Sequence, residues 1–449
     1  MAKRPTIRYV CSNCGAVSVA WAGRCSNCGE WNTLVEEVSL NEVPKGRPDG
    51  TKLQTTAINK VAKKDNVRIK TGMGDVDTIL GGGLVPGSMT LIAGQPGIGK
   101  STLLLQFADN VAVKQTVLYV SGEESAHQIA LRAERLHVAQ SKLQLATSTL
   151  ADDVATSIAS GEYKLVIVDS IQTLTCSTLN SSAGTLTQIS GSTQLIMAAA
   201  KQTGTAVIIV GHVTKEGSIA GPKVLEHVVD VVLQLEGDVY GGFKILRASK
   251  NRFGSTNEAG IFEMTEGGLR IVDNPSAALL AERQASDGSI VLATLEGTRP
   301  LLVEVQALVN PTSYGYPKRA ASGIDLNRIN LLVAMLERRT KLKLADQDIY
   351  INIVGGIRLS EPAADLAVCM AIGSAAKGLQ LKANAVVFGE VGLSGEIRHV
   401  PLIEKRLAEA KKLGFTAAIG PLQRSGPRLP MLKSVPDVRT ALNEFLEKD

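Results

Sequence analysis

The stretch SMTLIAGQPGIGKSTLLLQFADNVA limits this chain more than any other. A short apolar strand leads into Gly94-Gln95-Pro96-Gly97-Ile98-Gly99-Lys100-Ser101, and a helix-period run follows. A chance match to G-x-x-x-x-G-K-[ST] in a loop would lack these flanks; with them the segment reads as a phosphate loop. Gly94, Gly97 and Gly99 let backbone amides converge on phosphate oxygens, with Gln95, Pro96 and Ile98 completing the loop. Lys100 reaches the β and γ phosphates, and Ser101, with Thr102 beside it, is placed to ligate Mg²⁺. The expected ligand is ATP with Mg²⁺.

Three further apolar strands carry polar ends. KLVIVDS ends in Asp169, the position of a carboxylate that holds the metal through water. VLYVSGEES ends in Glu123 and Glu124. A carboxylate at a strand's carboxyl edge beside the γ-phosphate can orient and polarise the attacking water, and Glu123 is assigned that role. The simpler reading, that a Glu caps the helix beginning near Ser125, is given to Glu124. GTAVIIVGHVTKEG ends in His212, either a sensor of the γ-phosphate or a satisfied histidine near the core. Two polar stretches, 170–194 and 214–229, follow strand ends and read as long functional loops.

At 449 residues the chain exceeds one ordinary core, so two to four domains are expected. Abundant aliphatic and only 4% aromatic residues fit an α/β protein with well-buried strands. The amino terminus has no apolar h-region, and no run of about 18 uncharged apolar residues occurs, so a cytoplasmic protein without a membrane span is expected. The net charge of +5 decides little, but residues 44–70 alone carry a net six positive charges. This segment reads as a solvated linker; its lysines and arginines are also able to neutralise nucleic-acid phosphates without fixed geometry.

Four of the six cysteines form two CSNCG knuckles: Cys11, Cys14, Cys25 and Cys28. Two Cys-x-x-Cys turns place four thiolates on the corners of a tetrahedron, and Gly15 and Gly29 permit the tight turns. A cytosolic chain disfavours disulfides and favours structural Zn²⁺, although an iron site uses the same ligands. Trp21 and Trp31 flank the second knuckle and are assigned to the module's small core, base stacking being the alternative. Cys369 falls within an apolar helix-like run and reads as core.

The order DTILGGGLVPGS, phosphate loop, SGEES, VIVDS, GHVTKEG and KNRFG resembles the RecA-superfamily ATPases. With the paired knuckles in front it resembles the bacterial RadA (Sms) family over essentially the whole chain. The resemblance implies a RecA-like core in a homo-hexameric ring that binds single-stranded DNA through central loops and hydrolyses ATP between subunits. It puts Glu123 at the catalytic base position and His212 at the polar sensor position, where RecA itself has an amide. In such a ring Lys250 and Arg252 of KNRFG reach the γ-phosphate on the next protomer's Lys100, spreading transition-state charge, while Phe253 and Gly254 fix the turn.

The last third alternates helices and strands, and GEVGLSGEIRHV resembles the proteolytic domain of Lon, a ribosomal S5 domain 2-like fold. Against that family's pattern Ala363 stands at the serine position and Glu404 near the lysine position, with Lys405 and Ser360 nearby. A methyl group cannot attack a peptide, so a non-proteolytic scaffold is expected. LERRTKLK, 336–343, reads as a basic patch for DNA or as a solvated helix end. The expected organisation is a four-cysteine zinc-ribbon module (1–33), a basic linker (34–67), an ATPase domain (68–275) and a Lon-protease-like domain (276–449). The expected activity is that of a DNA-dependent ATPase or helicase on recombination intermediates, promoting branch migration with the RecA recombinase on single-stranded and branched DNA. A protease-related adaptor and a nucleotide-gated clamp are the alternatives.

Overall fold

The structure, a computed structural model, describes residues 7–11, 16–31, 33–38, 57, 67–212, 224–237, 242–313, 315–381, 384–423 and 429–447. It forms two compact units, Met1–Lys64 and Asp65–Asp449. Most of the basic segment, and Cys14, lie outside the described residues.

In the first unit β1 (Ile7–Cys11) pairs with β2 (Val17–Ser18) and β3 (Leu34–Val38) in an antiparallel sheet of order β2-β1-β3. Among the described residues, Cys11, Cys25 and Leu34 form its buried cluster. The two tryptophans are not the core: Trp21 is 60% and Trp31 68% exposed. A module this short, centred on thiols, has no interior volume for two indoles. The Arg24 guanidinium lies 5.8 Å from the centre of the Trp31 ring instead.

The second unit begins with α1 (Gly74–Ile79), β4 (Met89–Gly94), α2 (Lys100–Ala112), β5 (Val117–Ser121), α3 (Ala126–Arg135), β6 (Leu143–Thr147), α4 (Ala151–Ala159), β7 (Leu165–Asp169), α5 (Leu186–Thr203), β8 (Ala206–His212) and α6 (Val224–Val228). Four strands follow: β9 (Val231–Gly237), β10 (Phe243–Asn251), β11 (Ala259–Thr265) and β12 (Gly268–Ile271). They form one sheet of order β12-β11-β10-β9-β4-β8-β7-β5-β6, parallel from β9 to β6 and antiparallel beyond. The central strands are apolar on both faces because both are covered. Ile92, Tyr119, Ile167 and Ile208 enter one cluster; Leu91, Val120, Val168 and Ile209 enter the other.

The carboxyl-terminal half opens with α7 (Pro275–Leu280) and continues β13 (Ser289–Glu296), β14 (Arg299–Pro311), β15 (Arg319–Ser322), α8 (Leu326–Thr340), β16 (Gln347–Ile353), α9 (Asp365–Lys377), β17 (Gln380–Leu381), β18 (Ala385–Val387), β19 (Glu390–Val391) and β20 (Ile397–Arg398). It ends with α10 (Ile403–Lys412), β21 (Ala417–Gly420), β22 (Leu432–Ser434), α11 (Val438–Glu444) and β23 (Leu446–Glu447). Seven of these strands make a second sheet, β15-β16-β14-β13-β18-β21-β22. Its core also takes in Ile245, Ala259 and Ile261 from β10 and β11, so the two sheets share apolar residues. Ion pairs from Arg299 to Asp75 of α1 (2.8 Å) and from Arg247 to the buried Glu296 (2.9 Å) join the two halves.

Both stretches expected to be long loops are shorter. In 170–194 a turn of 3-10 helix covers Ile171–Thr173, and α5 starts at Leu186 with Thr185 as its cap. Its first turns carry buried polar Gln188, Ser192 and Thr193, which hide the apolar period by which a helix is read. In 214–229 the end is α6; residues 213–223 lie outside the described ones.

Candidate functional site

β4 is buried along its whole length and ends at Gly94, paired with His212 on one side and Leu235 on the other. A Cβ on Gly94 would lie 2.6 Å from the Leu235 carbonyl oxygen, so β9 excludes any side chain there. Gln95, Pro96 and Gly97 are exposed, Ile98 is buried beneath them, and Gly99, with φ of 113°, turns the chain into α2. The loop therefore presents backbone amides to solvent at the amino end of a 13-residue helix, an anion site by construction.

Lys100 is 5% exposed, and its ammonium donates to the carbonyls of Gly94 (2.8 Å) and Gln95 (3.0 Å). Burial pulls its pKa below that of an ordinary lysine, while the carboxylates of Asp169 and Glu123 act in the other direction. One cation and two carboxylates thus share one field. Ser101 is half-buried and Thr102 buried beside them.

The carboxylates are aligned by β5 and β7. The Gly122 amide donates to the Asp169 carbonyl at 2.9 Å, and a Cβ on Gly122 would sit 2.1 Å from Thr173 Oγ1. Only a glycine allows the loop after β5 to lie this close to the end of β7. The Ser170 hydroxyl then donates to Glu123 Oε1, while the Glu123 side chain stays exposed to water. The Asp169–Ser170 peptide is cis. Tyr119, which sequence reading missed, donates its hydroxyl to Asp169 Oδ2 at 2.7 Å; burial and then the Asp169 charge push the phenol's pKa well up. The alternating in-and-out pattern of β5 puts Tyr119 two residues before Ser121, on the Asp169 side, but no motif marks it.

Glu124 is not a helix cap. Its carboxylate is gripped by Arg132 at 2.6 and 2.5 Å, and α3 is capped by a Ser125–Gln128 capping box. His212 ends β8 opposite Gly94, and its side chain lies outside the described residues.

KNRFG is away from the phosphate loop of its own chain. A register shift between Ala248 and Lys250 turns the end of β10, and the Lys250 ammonium donates to the carbonyls of Glu226 (2.5 Å), Val229 (2.8 Å) and His227 (3.4 Å). Burial and then the Arg252 charge lower its pKa. Arg252, half-exposed, pairs with Asp230 at 3.0 Å, whose other oxygen accepts from the Met89 amide. Phe253 packs against the apolar cluster and a Cβ on Gly254 would lie 3.0 Å from Gly81 Cα, while Asn251 donates to the Ile79 carbonyl and accepts from the Phe253 amide, and Arg68 donates to the Phe253 carbonyl.

In the first unit the ligand atoms of Cys11, Cys25 and Cys28 lie within 4.8 Å of one another, with Cys11 and Cys28 sulfurs 3.6 Å apart. Thiolates about 2.3 Å from a zinc ion form a tetrahedron with edges of roughly 3.8 Å, so the described thiols fit Zn²⁺. The Cys11 amide donates to the Ala16 carbonyl, and the Cys25 amide donates to the Glu30 carbonyl across the second knuckle.

In the carboxyl-terminal half Ala363 is 1% exposed. Glu404 and Lys405 both face solvent, and Lys405 donates to the Thr298 carbonyl. The cation that α10 turns inward, beside Ile403, Leu407 and Ala410, is Arg406, fully buried, paired with Glu361 and donating to the Ala293 carbonyl at 2.6 Å. Among these residues Arg406 is the inward cation, and a guanidinium does not give up its proton to serve as a base.

A family model described as an AAA domain matches residues 67–218, one described as a rubredoxin metal binding domain matches 9–36, and one described as subunit ChlI of Mg-chelatase matches 327–424. Among solved structures, a RadB recombinase aligns with 46% of this chain and all of its own, at 24% identity and a TM-score of 0.36. DNA repair protein RadA of Listeria monocytogenes is 46% identical over all of this chain and 98% of its own. RadA of Halalkalibacterium halodurans is 47% identical over 95% and 94%, and that of Pseudomonas aeruginosa 46% identical over 94% of each. With this identity sustained through ribbon, phosphate loop and carboxyl-terminal sheet, the chain belongs to the RadA family of DNA repair proteins, P-loop ATPases with an amino-terminal zinc ribbon and a Lon-like carboxyl-terminal domain.

Proposed function

We propose that the chain is a DNA-dependent ATPase and helicase that works in the cytoplasm as a homo-hexameric ring. On this reading it acts on single-stranded and branched DNA and promotes branch migration in strand exchange by the RecA recombinase. The observation that carries it is the trio of Lys100, Asp169 and Glu123, with Glu123 exposed and aimed by Ser170. That arrangement supports hydrolysis rather than mere nucleotide storage: Glu123 orients a water and takes its proton, while Lys100 exchanges its loop carbonyls for phosphate oxygens. Ser101 and Asp169 would hold Mg²⁺, which would supply charge neutralisation to the transferred group. Lys250 and Arg252 then serve a neighbouring copy, because in their own chain they face α6 and Asp230. The expected four domains, 1–33, 34–67, 68–275 and 276–449, divide the work into zinc ribbon, basic tether, motor and scaffold. Buried Ala363 and the Glu361–Arg406 pair favour a scaffold without peptidase activity.

The test is ATP turnover with and without single-stranded and forked DNA, beside a strand-separation assay. Turnover raised by either DNA, and strand separation lost in Glu123→Gln, are expected. Turnover that responds only to an unfolded protein would replace the helicase with the adaptor reading.

A further inference from the structure

The Lys250 ammonium sits at a helix end. An α-helix leaves its last carbonyls without amide partners, and Glu226, His227 and Val229 supply such carbonyls at the end of α6. All three point at one cation, which reaches them because β10 takes one extra residue between Ala248 and Lys250. The cation is tied to the 214–229 stretch by its described end, and to β10 by its own backbone. Asp230, the residue after this cage, is held in turn by Arg252 and by the Met89 amide.

We infer that Lys250 is a positioning residue with two mutually exclusive partners, the carbonyls that end α6 and the γ-phosphate on a neighbouring copy, so that ATP at a subunit boundary frees α6 from the strand that carries the cation. This rests on the proposed trans role of Lys250. One ammonium has three protons, and the cage uses them on acceptors turned towards α6. A triphosphate oxygen is the stronger, charged acceptor and draws the side chain away. The end of α6 then loses its cap only when the neighbouring site is filled.

Hydrogen–deuterium exchange on the full chain reads this out over residues 225–230, without nucleotide and with a non-hydrolysable ATP analogue. In the wild type the analogue should speed exchange there by about tenfold, the effect of losing charge-assisted bonds. Lys250→Met, which keeps the aliphatic stem, should exchange at the fast rate with or without analogue, and Lys250→Ala should match it. Slow exchange in both nucleotide-free variants would overturn the cage. Fast exchange in the variants with a wild type that the analogue leaves slow would overturn the switch. ATP turnover of the same variants separates this from the trans reading: full turnover in Lys250→Met overturns that reading and the switch with it, whereas lost turnover in the variants, with wild-type exchange that stays slow with or without the analogue, overturns the switch alone.

Discussion

Glu123 follows a glycine that can be nothing else, because any side chain at Gly122 would collide with Thr173. Its orientation therefore depends on backbone packing between β5 and β7 before Ser170 refines it. Glu123→Gln keeps the size and the hydrogen bond but removes the proposed base, so ATP binding by equilibrium dialysis should persist while turnover falls by about 10² to 10⁴. Tyr119→Phe deletes the hydroxyl that orients Asp169; the Mg²⁺ concentration for half-maximal turnover should rise about tenfold, with maximal rate nearly kept at saturating metal. A variant that titrated like the wild type would leave Tyr119 a packing residue. The phosphate loop, Asp169 and Glu123 were legible in sequence because strand ends and glycine spacing mark them. Tyr119 was not, since an apolar-looking aromatic inside a buried strand announces nothing about its hydroxyl.

At the level of elements, α5 shows where reading by periodicity failed. Gln188 is 1% exposed, yet it donates to the carbonyls of Leu179 and Ser181 and accepts from the Cys176 amide, organising the loop that precedes its own helix. Gln188→Ala leaves those groups buried without partners and should cost about 1–3 kcal/mol in urea unfolding. A loss below the error of the measurement would mean that water replaces the amide. The zinc ribbon failed differently: the thiols were legible in their spacing, but tryptophans usually seek interiors, and the small described interior of this module is taken up by thiols and Leu34. Its order should depend on the ion. A strong chelator should abolish the near-ultraviolet signature of Arg24-stacked Trp31, and added Zn²⁺ should restore it, whereas ATP turnover without DNA should hardly change.

Across the whole molecule, the carboxyl-terminal sheet has the outline of a peptidase with a salt bridge in its middle. Arg406 is sealed from solvent, and Glu361 also accepts from the Thr294 hydroxyl and the Leu295 amide. Arg406→Met strands that carboxylate and should lower stability by about 3–5 kcal/mol, as followed by denaturant unfolding, and adding Glu361→Met should recover most of it. Equal losses in the single and double variants would show that the pair contributes packing alone. Sequence resemblance located Ala363 but not Arg406, because burial of a long cation is decided by which face of α10 meets the sheet. The expected boundary near residue 275 likewise gave no sign that apolar residues on either side belong to one core. β10 is the strand where this matters most: Ile245 is seated among carboxyl-terminal residues, Leu246 and Ala248 in the core around the phosphate loop, and Lys250 near its tip. If Lys250 serves a neighbouring copy as proposed, a tug on that tip would pass into a strand rooted in both halves, and the carboxyl-terminal half would share in each hydrolysis next door.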